Sequence, residues 1–577
     1  MDVNVLNNIV YKSHFAFLTI VYAFLLIGCQ STPANKSAIL LAQQGQFETA
    51  KQTIRSDYSA TGKSKLLHYL ELGMLNHLQG NYQLSNQLLD QAQQIIEEQY
   101  TISISESALA LLSGPSYTTY AGKIYHRPLI NFYKALNYNA LANQASTGRQ
   151  ALLDSALVEM RQLDTYLIGI KDKSGGYDNE QEPSGLDNLT RQINNLTRPL
   201  FAPNDLLKDI EYKDDAFAHY ISGILFERSG ELDAARLQYQ RSLQAFENGF
   251  AKQYNINGSI ITQVKTDLLR VMQAAGGYAN EVAKLKKALK SDSTKSAQPI
   301  LNILQNIGIG PQRKQFNLLL NIDEEAKALV MTPILWGTRQ EQQAQMRWFQ
   351  MLYADTSLFD LIQNYASGDI GDVAMGALTK RIPLGPLWED AVDLGLVSAL
   401  EYGSRISVTY LEPVQKQINH SEVWVGNQKV ATLNKIYSVS LLTLQDALNN
   451  ANSEIQIALA REIVKAMTAQ KAISATGLDA SFSGFAKLAT SVVNAVTASA
   501  DLRQWQSLPA QINYVQLPIT KGKHVITLKT HLSSGQVIEQ TETIQIVDDI
   551  TLWHTRTFLN KVRAQTTDST FFNGKLL

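Results

Sequence analysis

Cysteine is almost absent from this chain, because Cys29 is the only one among its 577 residues. A single cysteine allows neither an intrachain disulfide nor a cysteine-based zinc site. Charges of the two signs nearly cancel, with 51 Lys and Arg against 52 Asp and Glu, so nothing suggests the basic face that nucleic acid selects. Only 33 glycines and 14 prolines are present, which argues against extended low-complexity disorder and favours a large folded core.

Recognisable catalytic motifs are also missing. The nine histidines include no pair with the HExxH spacing, and no GxSxG elbow occurs. Residues 61–64 (TGKS) resemble the end of a phosphate-binding loop, but Asp57 stands where that motif needs its first glycine. No two carboxylates stand out as an acid and base pair. We therefore expect no enzymatic activity, no cofactor and no metal site.

Long apolar runs are rare, and the clearest one covers residues 15–28 (FAFLTIVYAFLLIG). This run is shorter than the roughly 20 residues that span a bilayer, and it has the length of a signal-peptide core. It ends in Leu26-Ile27-Gly28-Cys29, which resembles the lipobox of bacterial lipoproteins. A transmembrane anchor or a buried cysteine is the alternative interpretation.

The lipobox resemblance implies that residues 1–28 are removed as a signal peptide and that Cys29 becomes the first mature residue. It further implies a thioether-linked diacylglyceryl group on Cys29 and acylation of the new amine, a palmitate-type modification. Gln30 stands where an Asp would favour retention in the inner membrane. The expected location is therefore the outer membrane, with the protein facing the periplasm.

Three segments near the N-terminus share one spacing of small residues. A small residue in a first helix permits close approach of a second helix, a glycine follows at the turn, and another small residue follows five positions later. These positions are Gly73, Gly80, Ser85 and Ala92 in one segment, Gly223, Gly230 and Ala235 in another, and Gly45 and Ala50 in the shortest.

This spacing resembles the tetratricopeptide repeat, a helix–turn–helix unit. The resemblance implies an α-helical solenoid over residues 29–290, with a divergent pair near 128–167 and a polar loop over 171–215. Stacks of this kind usually hold a peptide or a protein partner on one surface. An ordinary helical bundle is the alternative.

The spacing of apolar residues changes after Ala297, from the helical period to alternation. Alternating segments predict strands, among them 315–322, 328–336, 405–411, 512–517, 524–531 and 537–547. A hairpin is predicted over 422–433 around Gly426-Asn427. Residues 441–471 predict a helix pair or one long helix, and 485–496 a second apolar helix. The basic run 311–314 (PQRK) is typical of a solvated turn, with contact to an anionic group as the alternative. Together these segments predict a mixed α+β domain over 291–577 that contains a β-sandwich-like sheet, and residues 365–400 are the hardest to place.

Several short motifs also resemble an uncharacterised family of bacterial tetratricopeptide lipoproteins. They are Tyr120-Ala121-Gly122, Tyr125-His126-Arg127, residues 133–138 (YKALNY), 306–314 (NIGIGPQRK), 459–466 (LAREIVKA) and 501–510 (DLRQWQSLPA).

The family resemblance covers nearly all of the mature chain. It implies no defined activity. Members of the family often resemble neighbours of lipoproteins that activate penicillin-binding proteins, which is an association only. We therefore expect a non-enzymatic scaffold of the cell envelope that binds a periplasmic protein through its helical repeats, with peptidoglycan synthesis as the first candidate process. The alternatives are an accessory lipoprotein of polysaccharide or protein export, and a cell-wall or glycan hydrolase.

Overall fold

A computed structural model describes most of the chain. The described residues are 36–99, 118–174, 195–196, 213–290, 298–353, 359–368, 379–401, 403–414, 417–475 and 500–559. The predicted signal peptide, Cys29, the predicted helix 485–496 and most of the predicted loop 171–215 therefore lie outside the described residues. In the part that is described, no helix is long and apolar enough to cross a membrane.

The N-terminal half is built of antiparallel helix pairs, and each helix packs against the next one along the chain. The helices are α1 (Lys36–Gln43), α2 (Phe47–Asp57), α3 (Lys65–Gln79), α4 (Tyr82–Gln99), α5 (His126–Gln144), α6 (Arg149–Ser174), α7 (Ala216–Arg228), α8 (Leu232–Ala245), α9 (Ser259–Ala275) and α10 (Ala279–Leu289). A π-helical turn (Phe246–Phe250) and a short helix (Ala251–Gln253) follow α8 directly.

The turn glycines adopt the left-handed conformation that their spacing suggested. Gly80 has φ +84° and Gly230 has φ +82°, where a side chain would be strained. In each turn the next amide donates to a carbonyl five residues back, from Asn81 to Asn76 and from Glu231 to Phe226, both at 2.9 Å. This bond satisfies a carbonyl that the helix end would leave without a partner, so each glycine both ends a helix and starts the return.

The two small residues of the first helices lie at close helix crossings. A Cβ placed on Gly73 would lie 2.8 Å from Cδ2 of Leu89, and one on Gly223 would lie 2.5 Å from Cδ1 of Tyr239. Ala92 and Ala235 are fully buried in the second helices. The side chains of the second helices therefore use the space that the glycines leave open.

The helix pairs are not evenly spaced along the chain. They begin at residues 36, 65, 126, 216 and 259, whereas tetratricopeptide units recur every 34 residues or so. The observed half is a stack of helix pairs, and its relation to the tetratricopeptide repeat stays a resemblance.

The C-terminal half mixes strands and helices, as the α+β prediction states. Its strands are β1 (Ile300–Ile307), β2 (Gln312–Asp323), β3 (Ala328–Ile334), β4 (Lys380–Pro383), β5 (Ser404–Glu412), β6 (Ile418–Val425), β7 (Gln428–Tyr437), β8 (Gln511–Pro518), β9 (Gly522–Leu532), β10 (Val537–Ile546) and β11 (Ile550–Thr557). Its helices are α11 (Arg339–Tyr353), α12 (Phe359–Ala366), a 3-10 turn (Gly385–Leu387), α13 (Trp388–Asp393), α14 (Leu396–Leu400) and α15 (Val439–Ala475).

Seven strands form one sheet in the order β10-β9-β6-β7-β8-β1-β11. The prediction of a sandwich is wrong, because this sheet curls into a nearly closed barrel. Its two edge strands approach each other: Nε2 of Gln540 on β10 donates to the carbonyl of Arg556 on β11 at 2.8 Å. Leu301, Ile526 and Leu528 belong to a separate apolar cluster that fills the interior. We call this sheet the barrel.

The remaining strands form a four-stranded sheet in the order β4-β3-β2-β5. Helices α11 and α15 pack against β5 of this sheet. The chain enters it from β1 of the barrel and returns to the barrel at β6, so the second sheet is an insertion within the first. Residues 365–400 contribute β4 and short helices to its edge.

The two halves of the chain share one hydrophobic core. A single cluster contains Leu70 and Phe217 of the helix pairs together with Leu304, Tyr514 and Leu552 of the barrel. Many of the contacts come from first helices of the pairs. Examples are Tyr133 of α5, which donates to Asn306 at 3.3 Å, and Gln263 of α9, which donates to Gln516 at 2.7 Å. The barrel therefore covers the face that the first helices form, and we call this contact the interface.

A buried arginine ties the helix pairs to the turn between β10 and β11. The side chain of Arg228 is fully buried, and its Nη2 lies 2.9 Å from Oδ2 of Asp548. The same guanidinium also donates to Asn139 and Asn143 of α5. Arg149 contacts the same carboxylate, so one acidic side chain bridges two cations at the interface.

We predict that Gly223→Ala destabilises the protein by about 1–3 kcal/mol, because its Cβ would overlap the ring of Tyr239. Urea unfolding of the mature chain measures this effect. Gly169→Ala is the matched control, since Gly169 lies in α6 with nothing within 4 Å of an added Cβ. The control should gain about 0.5–1 kcal/mol from helix propensity. Equal unfolding midpoints for the two variants would show that the α7–α8 crossing is assigned wrongly.

We predict that Asp548→Asn costs about 3 kcal/mol of the free energy of unfolding, because it leaves the buried Arg228 without its counter-ion. The neighbouring substitution Asp549→Asn should change stability little, since Asp549 and its partner Lys521 are both mostly exposed. Chemical unfolding of the two variants in parallel tests the contrast. A loss of similar size in both would argue against a structural role for the Arg228 contact.

Candidate binding pocket at the junction of the two halves

The described residues enclose a half-open pocket of about 260 Å³ at the junction of the two halves. The helical half contributes the segment that precedes α5, the four-stranded sheet contributes β2 and β5, and α15 forms a further wall. The residues 500–503 that lead to β8 complete it. The lining residues are Thr118, Thr119, Tyr120, Ala121, Gly122, Lys123, Arg313, Ser407, Val408, Glu454, Ile457, Ala458, Arg461, Ala500, Asp501 and Arg503.

Arg313 lies at the inner end of the pocket. It begins β2, and its guanidinium donates to Glu454 of α15 and to Oγ1 of Thr409 at 2.8 Å. Its Nε donates to the carbonyl of Asp501 at 3.2 Å. The expectation that residues 311–314 form a solvated turn is therefore wrong, because Arg313 is 7% exposed and paired. The counter-ion of Arg313 is Glu454, which comes from a helix about 140 residues further along the chain.

Glu454 stays ionised in this setting. Burial pushes the pKa of its carboxyl group upward, but the charges of Arg313 and Lys123 outweigh burial and hold the pKa below its ordinary value. Oε2 of the same carboxylate accepts from the hydroxyl of Thr409 at 2.5 Å. A carboxylate held in this way is a structural counter-ion and a poor proton donor.

Arg503 shapes the wall where the two halves meet. Its Nε and Nη2 donate to the two oxygens of Asp501, each at 2.8 Å, and its Nη1 donates to the carbonyl of Thr118 at 2.9 Å. The guanidinium carbon also lies 5.5 Å from the ring centre of Tyr120. Arg503 thus fixes the segment before α5 against the segment before β8.

Two further cations line the pocket. Lys123 lies 3.4 Å from Asp446 of α15 and keeps about a fifth of its side chain exposed. Burial lowers the pKa of Arg461, which the nearby Glu462 counteracts. Against the four cations Lys123, Arg313, Arg461 and Arg503, the lining holds two anions, Glu454 and Asp501.

Within the lining the cations outnumber the anions by two, and Asp446 and Glu462 behind the lining supply carboxylates next to Lys123 and Arg461. These cations adjoin apolar surface. Ile457 lines the pocket and is 42% exposed, so it lies near the mouth. Tyr120 is buried, and its hydroxyl has no hydrogen-bond partner. A ligand that combines a carboxylate with an apolar group fits this lining, because the cations would meet the charge and Ile457 would meet the apolar part.

The motifs that carry the family resemblance converge on this pocket. Tyr120 and Gly122, Arg313, Arg461, and the Asp501–Arg503 pair come from four separate motifs and all line it. The ring centres of His126 and Trp505, from two of these motifs, lie 5.6 Å apart behind it. Segments that are far apart in the sequence therefore build one place in the fold.

The helix-packing residues lie elsewhere. Gly73, Gly80, Ala92, Gly223, Gly230 and Ala235 all belong to the helix pairs and line no part of the pocket. The face of the first helices, where a repeat stack offers a binding surface, is covered by the barrel. His77 of α3 illustrates this, since its ring stacks on that of His554 of β11 with centroids 4.9 Å apart.

Burial holds these two histidines neutral. It lowers the pKa of His77 to about 4, a shift that the hydrogen bond to Asn137 opposes only in part. Burial also depresses the pKa of His554, and His77 contributes to that shift. The interface therefore contains two uncharged rings in contact, and we assign them a packing role.

Within the described part of the chain, one group of three side chains could hold a metal ion. His420, Glu422 and His531 lie on the outside of the barrel, and their ligand atoms lie within 4.8 Å of one another. This group is not predicted from the sequence, because the predicted hairpin begins at Glu422 and leaves out His420. A strand that includes His420 places the side chains of His420 and Glu422 on one face. The alternation in the sequence was therefore enough to predict this pair.

Comparison of this chain with protein families, with curated proteins and with solved structures finds no match.

Proposed function

We propose that this chain is a lipid-anchored binding protein of the bacterial envelope, and that its junction pocket binds an acidic segment of a periplasmic protein partner. The observation that carries this proposal is the lining of the pocket, where four cationic side chains converge beside an exposed Ile457. An extended acidic side chain or a terminal carboxylate has the charge that such a lining favours. We keep peptidoglycan synthesis as the preferred process, on the family resemblance alone.

The ion pairs of the two carboxylates that line the pocket favour binding over hydrolysis. Glycoside hydrolysis needs one carboxyl group that is protonated and one that is free to act as base or nucleophile. In the pocket, Arg313 engages Glu454 and Arg503 engages both oxygens of Asp501. Neither group is placed as a proton donor, which supports a scaffold role.

The proposed anchor explains how a small pocket could give useful affinity. A pocket of this volume is at the low end for ligand sites, so a single acidic contact should bind weakly. Acyl chains on Cys29 would confine the protein to the membrane surface and raise its effective concentration for partners there. The outer membrane is the location we propose, from Gln30 after the cysteine.

We predict that Cys29 carries the lipid. Cells grown with an alkyne fatty acid should incorporate the label into the wild-type chain, and Cys29→Ala should lose it because no other cysteine is present. Membrane fractionation should place the wild type with outer-membrane markers, and the variant, which keeps residues 1–28 uncleaved, should be lost from that fraction. Equal labelling of the two chains would contradict lipidation at this residue.

We predict that a photo-crosslinking amino acid at Ile457 captures one periplasmic protein in cells. The same probe at Val158, which is 58% exposed in α6, serves as the comparison site on the outer surface of the helix pairs. Lys123→Gln and Arg461→Gln should each weaken capture from Ile457 about tenfold, the effect of about 1.4 kcal/mol. Lys521→Gln, an exposed cation of the barrel, should leave capture unchanged.

The outcomes separate the alternatives. Capture from Val158 alone would place the partner on the helix pairs and contradict the pocket. An adduct confined to the chain itself would show that its own segments occupy the pocket. Release of muropeptides by the purified chain, without any adduct, would replace binding with hydrolysis.

A further inference from the structure

The outer surface of the barrel carries a cluster of histidine and glutamate side chains on two neighbouring strands. His420 and Glu422 lie two residues apart on β6, so both point away from the barrel interior, where Ser421 and Val423 are buried. His531 on β9 is the register partner of His420. A bulge in β6 between Ile418 and His420 sets this register.

The distances within this cluster match those between the ligands of a small metal ion. Nε2 of His420 lies 3.3 Å from Oε1 of Glu422, and Nε2 of His531 lies 3.4 Å from Oε2. Ligands about 2.0–2.1 Å from a tetrahedral ion are separated by roughly 3.3 Å. Two of the three ligand–ligand edges already have this length, and the third is at most 4.8 Å.

The two imidazoles of the cluster lie against each other on the barrel surface. Their rings stack with centroids 4.4 Å apart and an angle of 11° between the planes. Nε2 of His531 is buried, and its contact with Oε2 of Glu422 at 3.4 Å does not have the geometry of a hydrogen bond. A metal ion between these two atoms would satisfy both.

Lys429 lies next to the carboxylate of Glu422. Nζ of Lys429 on β7 lies 2.7 Å from Oε1 of Glu422, and the indole nitrogen of Trp424 donates to Oε2 at 3.0 Å. The side chain of Lys429 is 44% exposed, so it can swing into solvent. Its ammonium group would compete with a divalent cation for the same carboxylate.

We propose that His420, Glu422 and His531 form a binding site for a divalent transition metal, of which Zn²⁺ is the ion to test. Two imidazoles and one carboxylate suit zinc and its neighbours better than Mg²⁺ or Ca²⁺, which prefer oxygen ligands. Three protein ligands leave a fourth position for water or for a donor from a bound partner. The cluster belongs to the barrel surface and is independent of the junction pocket.

Zinc titration of the untagged mature chain, after treatment with chelator, tests the site. We expect one Zn²⁺ per chain by competition with a fluorescent zinc chelator, and His420→Gln and His531→Gln should each weaken binding about tenfold or more. Lys429→Ala should strengthen binding, because it removes the competing ammonium. His524→Gln, a surface histidine on the same strand as His531, is the matched control and should bind as the wild type does.

Trp424 provides a local readout that does not depend on stability. Cu²⁺ at this site should quench part of the tryptophan fluorescence, and Trp424→Phe should remove that part. Affinities that are equal in the wild type and in the two histidine variants would overturn the proposal, as would a Lys429→Ala variant that binds Zn²⁺ no better than the wild type. Unchanged thermal melting of the four variants, measured alongside, assigns any loss of binding to the site itself.

Discussion

The face formed by the first helices is stable only because the barrel covers it. Tyr220 of α7 donates to Asp267 of α9 at 2.6 Å and meets the hydroxyl of Tyr514 of β8 at 2.8 Å, and Tyr514 donates to Asn302 of β1 at 2.7 Å. All of these groups are buried. A buried polar group that loses its partner costs about 1–3 kcal/mol, so the helix pairs and the barrel each satisfy polar groups that the other buries.

This dependence determines where a ligand can bind. A repeat stack in isolation would offer the face of its first helices, but here Arg228 and Asp548 and the ring pair of His77 and His554 close that face. The junction pocket forms at the margin of the same interface, since Arg503 connects the segment before β8 to the carbonyl of Thr118. Neither half alone contains the pocket, so the two halves are needed together to form it.

The sequence predicted the parts of this fold that depend on local patterns. Turn glycines such as Gly80 and Gly230 and the alternation in β9 are short-range signals, and both lie where they were expected. The barrel could not be predicted, because it depends on strand pairings between distant parts of the sequence. For example, β1 pairs in parallel with β11, and Ile300 lies opposite Ile550. Arg313 was misjudged for the same reason, since no local signal shows that Glu454 neutralises it. Within the His420 cluster, the pair of His420 and Glu422 could have been predicted from strand alternation, but His531 comes from a strand about 110 residues later and could not.

The sequence of α7 carries information about the interface. Helix α7 is buried along nearly its whole length, including His219, Ser222 and Arg228. Second helices such as α8, by contrast, keep one face in solvent, with Leu237 49% exposed. A helix that mixes apolar and polar residues without a polar stripe is either covered on all sides or unstable. Because α7 lies within a well-packed pair, only the first explanation applies, and its polar residues mark positions that another part of the chain must satisfy. The Arg in α7 therefore already required an acidic partner, which the fold supplies as Asp548.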